Sequence, residues 1–385
     1  MGHLQTTIRL LLRHPGATRP ELCRLTGLMP SAMHGLIALL LEQGIIERDG
    51  TSAPARGRSA DRYRLRLGLG IVVGVSLRLH RISVGLFDIS LHQIAETHVP
   101  AELSASGPES YTLQIAETVT RLLAQHEKTA EACLGLGITL PGATRFPQGI
   151  VEQVCGAPLW QDFPIAERLG GALNLPVLAD RDVYAGIEYL ELSGQVQHPE
   201  CAAYLSIYEG IGASLMLDGR AFRGGHGLSG EIGHLTARKD GAPCHCGNNG
   251  CLELYCSDIG LVKQYNAQSG GNCQHVEEVL QKMQRGDEVA AKVVAQAISY
   301  LVDATSSILV SYDPLELIIY CRWLNHQKTL YFRMLDAFYG KIFTQRHRVN
   351  IRLLPTGAIH LPAAAALALA NLTLKPGGGL MVKLV

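Results

Sequence analysis

Several features are missing from this sequence. Its start, MGHLQTTIRLLLRHPGATRP, has no uninterrupted apolar core and no small-residue cleavage site, so no secretory leader is expected. No apolar run reaches the roughly 18 residues of a membrane helix. The most apolar stretch, LPAAAALALANLTL at 361–374, is shorter and reads as a buried helix. Net charge is also absent, with 34 Lys and Arg against 34 Asp and Glu. Apolar residues make up 47% and charged residues 18%, which excludes a disordered chain and supplies large cores. A cytoplasmic location is expected. There, thiols stay reduced, so the ten cysteines read as buried small apolar groups or metal ligands rather than disulfides.

Lysine is absent from residues 1–66, but arginine is not. Ten arginines stand there against five acids, so this segment carries about +5 and the remainder about −5. A small basic module on a mildly acidic body points to a polyanion partner. The length of 385 residues suggests two or three domains.

The basic segment reads as three helices and a hairpin. HLQTTIRLLLRH places Ile8, Leu11 and Leu12 on one face. TRPELCRLTG opens with Thr18 as N-cap and Pro20 in the first turn, and it ends on Gly27. PSAMHGLIALLLEQG follows, with Met33, Leu36, Ile37, Leu40 and Leu41 as its apolar stripe. Two helices joined by a tight turn resemble a helix-turn-helix. IIERDGTSAPARGRSADRYRLRL then reads as two strands around a Gly/Pro/Ser loop, which would be a wing. The plainer alternative is a helical interaction domain with no DNA role. Arg48, Arg56, Arg58, Arg62 and Arg64, in and around the wing, favour DNA, because guanidinium groups suit phosphates and narrow minor grooves. The recognition helix offers only Ser31, Ala32, His34 and Gly35. Ser31 and His34, with Arg56 and Arg58 of the wing, are the expected DNA contacts, and base specificity should be modest.

From Leu67 the pattern changes. LGLGIVVGVSLRLHRISVGLFDIS reads as two strands, Gly70–Leu77 and Arg81–Asp88, and AAYLSIYEGIGASLMLDGRAF reads as a second strand pair. Helical patterns lie between, as in ESYTLQIAETVTRLLAQHE. The expectation is an α/β architecture with two related lobes and a ligand cleft between them.

The densest chemistry is GEIGHLTARKDGAPCHCGNNGCLE at 230–253. His234, Cys244, Cys246 and Cys251 form a one-imidazole, three-thiolate set of the kind that holds structural Zn2+ tetrahedrally. Gly241, Gly247 and Gly250 let the short loop fold back. His245 is the alternative to His234, and Cys256 is a weaker alternative sulfur. Four protein ligands leave no open position, so the metal would be structural rather than hydrolytic.

These motifs resemble the ROK family of repressors, open reading frames and sugar kinases. The resemblance rests on GEIGH at 230–234, CHCGNNGCLE at 244–253 and the upstream DGRAFRGGHGLSGEIGH, and it covers nearly the whole chain. TRPELCRLTGL…LIALLLEQGIIERDG…GRS is similar to the winged helix of the family's repressor branch. The resemblance implies an N-terminal winged helix-turn-helix over 1–66 and a two-lobed, actin- and hexokinase-like (ribonuclease H-like) domain over 67–385. Lobe 1 would span about 67–187 and lobe 2 about 188–360, with a C-terminal helix returning to lobe 1. It also implies a homodimer or homotetramer.

The resemblance can be followed position by position. Asp182 falls where the kinases carry their general base, but Arg181 replaces the preceding Asn. Glu231, His234 and Glu253 match the sugar-contacting residues, so His234 would serve metal and sugar through different ring nitrogens. The nucleotide positions are altered. Ser76, Arg78 and Leu79 stand in place of an Asp and two glycines of the first phosphate turn. Tyr208 and Glu209 replace a Gly and a Thr of the second, and Cys321 and Arg322 lie near the nucleoside-binding glycines. A family Asn before Trp160 is lost, with Ala157 near that point. Phosphoryl transfer depends on positioning and charge neutralisation, so no kinase activity is expected. The sequence reading is a DNA-binding repressor of carbohydrate-metabolism genes, controlled by a sugar or sugar derivative bound by Asp182, Arg181, Glu231, His234 and Glu253. Arg181 either pairs with Asp180 or Asp182 or admits an anionic effector. An active sugar kinase and a regulator controlled by a partner protein are the alternatives.

Overall fold

The computed structural model describes residues 2–51, 59–154, 157–340, 349–355, 357, 359–375 and 379–383. The chain divides into two compact units, residues 1–195 with 358–385, and residues 196–357.

The first unit opens with α1 (His3–Arg13), β1 (Ala17–Thr18), α2 (Arg19–Thr26), α3 (Pro30–Glu42), β2 (Ile46–Thr51) and β3 (Asp61–Leu65). A capping box starts α2. Thr18 N–H donates to Glu21 at 2.7 Å, the Glu21 N–H donates back to the Thr18 hydroxyl, and Gly27 ends the helix at φ 70°. The three short strands pair antiparallel in the order β1-β3-β2. Met33, Ile37 and Leu40 of α3 face inward with Ile8 and Leu11 of α1, as the apolar spacing requires.

The same unit continues with β4 (Ile71–Arg78), β5 (Arg81–Asp88), β6 (Gln93–Pro100), α4 (Pro108–Gln125), β7 (Cys133–Leu140), β8 (Ala143–Arg145), β9 (Ile150–Gln153), β10 (Gln161–Phe163), α5 (Ile165–Leu173), β11 (Val177–Arg181) and α6 (Asp182–Leu192). Its main sheet has the order β11-β7-β4-β5-β6, with β4, β5 and β6 an antiparallel meander and β7 and β11 parallel to β4.

The second unit holds β12 (Cys201–Ile207), β13 (Ile211–Leu217), β14 (Arg220–Phe222), α7 (Glu253–Cys256), α8 (Asp258–Ser269), α9 (Val276–Gln284), α10 (Glu288–Tyr312), β15 (Glu316–Cys321), α11 (Arg322–His326), α12 (Lys328–Tyr339) and β16 (Asn350–Leu353). Its sheet, β14-β13-β12-β15-β16, repeats the first topology: a three-strand meander whose first strand is flanked by two parallel strands. The strand-pair motif read twice in the sequence thus marks one sheet design used twice.

The chain then returns to the first unit through α13 (His360–Leu369), β17 (Leu372–Leu374) and β18 (Leu380–Val382). The alanine-rich α13 lies directly on the main sheet. A side chain at Gly74 would meet the Leu361 carbonyl at 2.8 Å, and one at Gly137 would meet the Ala364 carbonyl. Glycine on the strands and alanine on the helix therefore set how closely they pack. Near the C-terminus, β17 and β18 pair antiparallel and contact β7 and α1.

α10 is long and apolar enough to cross a membrane by length and composition, although, as the sequence reading held, it contains no uninterrupted apolar run of that length. Its apolar residues recur at helical spacing, and 56% of its 18-residue apolar window is buried within the protein, as in a core helix.

Candidate functional site

The 230–253 loop brings one ligand atom each from His234, Cys244, Cys246 and Cys251 within 4.8 Å of one another. His234 Nδ1 lies 3.7 Å from Cys244 Sγ, and Cys246 Sγ lies 3.6 Å from Cys251 Sγ. The loop closes through isolated bridges Thr236–Cys251 and Pro243–Asn249. Gly250 makes this possible: at φ +67° any side chain would drive into the Arg238 carbonyl. Gly247 also takes positive φ, whereas Gly241 is required for close approach to the Tyr255 hydroxyl and Gly250.

The donor set fits a soft divalent cation. Burial pushes the Cys244 thiol up and takes Cys251 to about 12. Burial also raises Cys246, but the Asn248 backbone N–H and the neighbouring thiols outweigh it, so that sulfur is lowered. Two crowded, buried sulfurs that resist ionisation are what a cation would convert to thiolates. His245 stays close: its Nδ1 is 3.9 Å from Cys244 Sγ, and its ring meets His234 edge-on at 5.3 Å.

The other side of His234 faces carboxylates. Its Nε2 is 3.7 Å from Glu231, and His245 Nε2 is 4.0 Å from Glu253. Glu253 also accepts the Ile211 backbone N–H at 3.0 Å, an approach that requires Gly210 because a side chain there would meet Glu253 at 2.8 Å. His234 thus faces Cys244 through Nδ1 and Glu231 through Nε2, while Glu253 faces His245 and the Ile211 backbone. The tautomer of the His234 ring is set by what Nδ1 meets.

In the first unit, Arg181 is the N-cap of α6 and Asp182 is its first helical residue. Asp182 therefore does not itself cap the helix. Arg78, at the end of β4, reaches it with Nη1 2.9 Å from Asp182 Oδ2. Arg181 donates to the Tyr184 hydroxyl at 3.2 Å and lies over that ring at 5.0 Å, while its backbone N–H donates to Asp180. His360 is half-buried with its Nε2 hidden, and burial first, then Arg78 and Arg81, pushes its imidazole well below the ordinary range. The Arg78–Asp182 pair had no sequence signal, since 104 positions separate its members. Ala157 is buried beside Trp160.

The second unit carries another charged cluster. Arg322 Nε lies 2.9 Å from Asp258 and 3.2 Å from Glu277, and its guanidinium sits 5.0 Å from the Tyr208 ring centre. Tyr208 stands where the family resemblance led the sequence reading to expect a glycine, and Arg322 lies near the expected nucleoside-binding glycines.

On the N-terminal module, Ser31 and His34 are exposed on α3. Arg56 and Arg58 lie outside the described residues. Arg19, the first residue of α2, was not anticipated. Its Nη1 is 3.4 Å from His34 Nδ1, which places a guanidinium beside the helix that has none.

The family model described as "ROK family" matches residues 72–370. The Bacillus subtilis xylose repressor is 25% identical over 256 residues, covering 66% of this chain and 66% of that protein, so the chain spans just under two thirds of that relative's length. The Escherichia coli DNA-binding transcriptional dual regulator NagC is 23% identical over 372 residues, covering 94% of this chain and 90% of that protein. Among solved structures, a ROK family transcriptional regulator described as a homologue of the E. coli MLC protein superposes with a TM-score of 0.78 at 22% identity, covering 95% of both chains.

Proposed function

The chain belongs to the ROK family, and from that premise we propose that it is a sugar-responsive, DNA-binding transcriptional repressor that does not phosphorylate its ligand. The observation that carries this reading is the α1–β3 module, three helices and a three-stranded antiparallel sheet built onto the first unit. We read it as a winged helix-turn-helix in which α3 enters the major groove. Ser31 and His34 of α3, with Arg56 and Arg58 of the wing, are its proposed DNA contacts. A homodimer or homotetramer would present two such modules to a palindromic operator.

Each unit supplies candidate effector contacts: Asp182 and Arg181 in the first, and Glu231, His234 and Glu253 in the second. Carboxylates and imidazoles suit vicinal hydroxyls. Zn2+ held by His234, Cys244, Cys246 and Cys251 would cross-link the loop and fix the His234 ring that the effector meets. Two arrangements argue against turnover. Arg78 occupies the carboxylate that would accept a hydroxyl proton. In addition, Arg322, tied to Asp258 and Glu277 and set against Tyr208, fills positions where a nucleotide needs bare backbone.

The test is a thermal-shift panel on zinc-loaded protein with neutral sugars, amino sugars, sugar phosphates, sugar acids and Mg-ATP, because a ligand of the folded state raises the midpoint. One sugar class shifting the midpoint, with Mg-ATP inert, supports the reading, and that sugar should then alter the protein's affinity for operator DNA. A shift with Mg-ATP would revive the kinase. No shift at all would favour control by a partner protein.

A further inference from the structure

Helix α6 has a functional residue at each end. Its first residue, Asp182, is held by Arg78. Its last turn carries Glu191, whose side chain is only 5% exposed. Both Glu191 oxygens are engaged by α1, the first helix of the N-terminal module. Arg9 donates from Nε at 2.9 Å and from Nη2 at 2.8 Å to Oε2, and Arg13 donates from Nη1 at 3.2 Å to Oε1. Arg9 and Arg13 are four residues apart, so they lie one turn above each other on the same face of α1. A planar carboxylate met by two guanidinium groups fixes direction as well as distance.

The packing around this joint is uneven. Ile8 and Leu11 of α1 share an apolar cluster with Leu192 of α6. Beside the ion pair, however, lies a cavity of about 330 Å³ whose walls include Leu12, Arg13, Ile89, Leu91, Tyr189 and Leu192. On that side Leu12, Leu91 and Tyr189 are only partly buried against the same cluster, and the three hydrogen bonds add a directional tie between α1 and α6. Between the two ends, Val183, Tyr184, Ala185, Gly186 and Ile187 are all buried, so the helix has no loose turn in which to absorb a displacement. Nine residues of α-helix separate Asp182 from Glu191, about 14 Å.

We propose that Glu191 is a positioning residue that passes the state of the Asp182 end of α6 to the DNA-binding module. This rests on the reading that Asp182 meets the effector and that the α1–β3 module binds DNA. A displacement of the first turn of α6 reaches Glu191 as a rigid-body movement, and the three hydrogen bonds carry α1 with it. Loss of those bonds uncouples the module without touching either binding surface.

A double-mutant cycle tests this without any sugar. Wild type, Arg78→Ala, Glu191→Gln and the double variant are titrated by anisotropy against a DNA duplex selected from random sequence by the wild-type protein. Hydrogen exchange of the α1 amides is read in parallel, and thermal melts establish that each variant is folded. Freeing Asp182 by Arg78→Ala is expected to change DNA affinity about fivefold or more in the wild-type background and less than about twofold with Glu191→Gln. The α1 exchange rates should follow the same pattern. Equal effects of Arg78→Ala in both backgrounds, or none in either, overturn the proposal. A purely structural Glu191 would lower stability while leaving the effect of Arg78→Ala intact. Should Glu191→Gln fail to fold, Arg13→Gln removes one of the three bonds and takes its place in the cycle. If the wild type selects no duplex, the DNA-binding reading has failed, and the α1 exchange cycle alone still decides whether α6 transmits.

Discussion

Arg78 Nη1 stands 2.9 Å from Asp182 Oδ2, joining the end of β4 to the first turn of α6. In a sugar kinase of this family the Arg78 position would be glycine and the carboxylate would take a proton from the sugar. Here a guanidinium engages that oxygen. The protein is therefore expected to release no ADP from Mg-ATP in a coupled assay with glucose, xylose or N-acetylglucosamine. Arg78→Gly alone is not expected to restore turnover, because Glu209 and the Tyr208–Arg322 cluster remain. Multiple turnovers by the wild type would refute the non-enzymatic reading.

The sulfur cluster predicts metal-dependent stability. Cys251→Ser removes one of four ligands whose atoms converge within 4.8 Å. The loss expected is about 2–4 kcal/mol, a fall of roughly 5–15 °C in the melting midpoint for a unit of this size. A chelator should lower the wild type similarly and have little further effect on Cys251→Ser. Zinc analysis should find one ion per wild-type chain. If chelation leaves the wild-type midpoint unchanged and no metal is found, the cluster has no structural metal.

Much of this arrangement was legible in the sequence because it is local. The Thr18 N-cap, the Gly27 stop and the apolar stripe of α3 are set within a few residues by helix geometry, although the reciprocal Glu21 bond of the cap was not read. The His/Cys spacing with its glycines likewise announces a closed loop. The repeated strand pairs pointed to two related lobes. The contacts that give the site its character were not legible. Arg78–Asp182, Arg9–Glu191 and Arg322–Asp258 each join residues far apart in sequence, and long charged side chains leave no periodic trace. Arg181 illustrates the limit: the sequence placed it between Asp180 and Asp182 but carried no sign that its guanidinium also meets the Tyr184 ring and hydroxyl.

If the α1–β3 module binds DNA as proposed, Arg19 and His34, in contact at 3.4 Å, are expected to divide recognition between them. A guanidinium only donates, so the His34 nitrogen facing it must offer its lone pair, leaving Nε2–H free to donate outward. Arg19→Ala is expected to weaken binding to all sequences alike and to reduce the salt slope of log K by about one. His34→Ala should cost about 1–3 kcal/mol on the selected duplex and relax preference at one base position. Anisotropy titrations across salt and across single-base substitutions separate the two. If both variants lose affinity equally on every sequence, His34 reads no base.

Asp258 gives the second unit a pH-dependent stability. Its side chain is 5% exposed, and burial pushes the carboxyl up to about 6 from 3.8 against the opposing pull of Arg322. The Arg322 pair at 2.9 Å pulls the other way by charge and hydrogen bonding, but the cost of burial is larger and Glu277 adds to it. Between pH 3.8 and about 6 the folded carboxyl keeps a proton that the unfolded chain has released. Stability contributed by this group therefore falls as pH rises through that window, and the full cost is present above it. A shift of about two units corresponds to on the order of 3 kcal/mol. Asp258→Asn should be more stable than wild type at pH 7.5 by up to roughly that amount, with the advantage vanishing at pH 4 and below. Urea unfolding at pH 4, 5, 6 and 7.5 checks it. If the variant is instead less stable at pH 7.5 than at pH 4 relative to wild type, the attraction of Arg322 outweighs the burial of Asp258, and the charged cluster at the altered nucleotide position stabilises the fold.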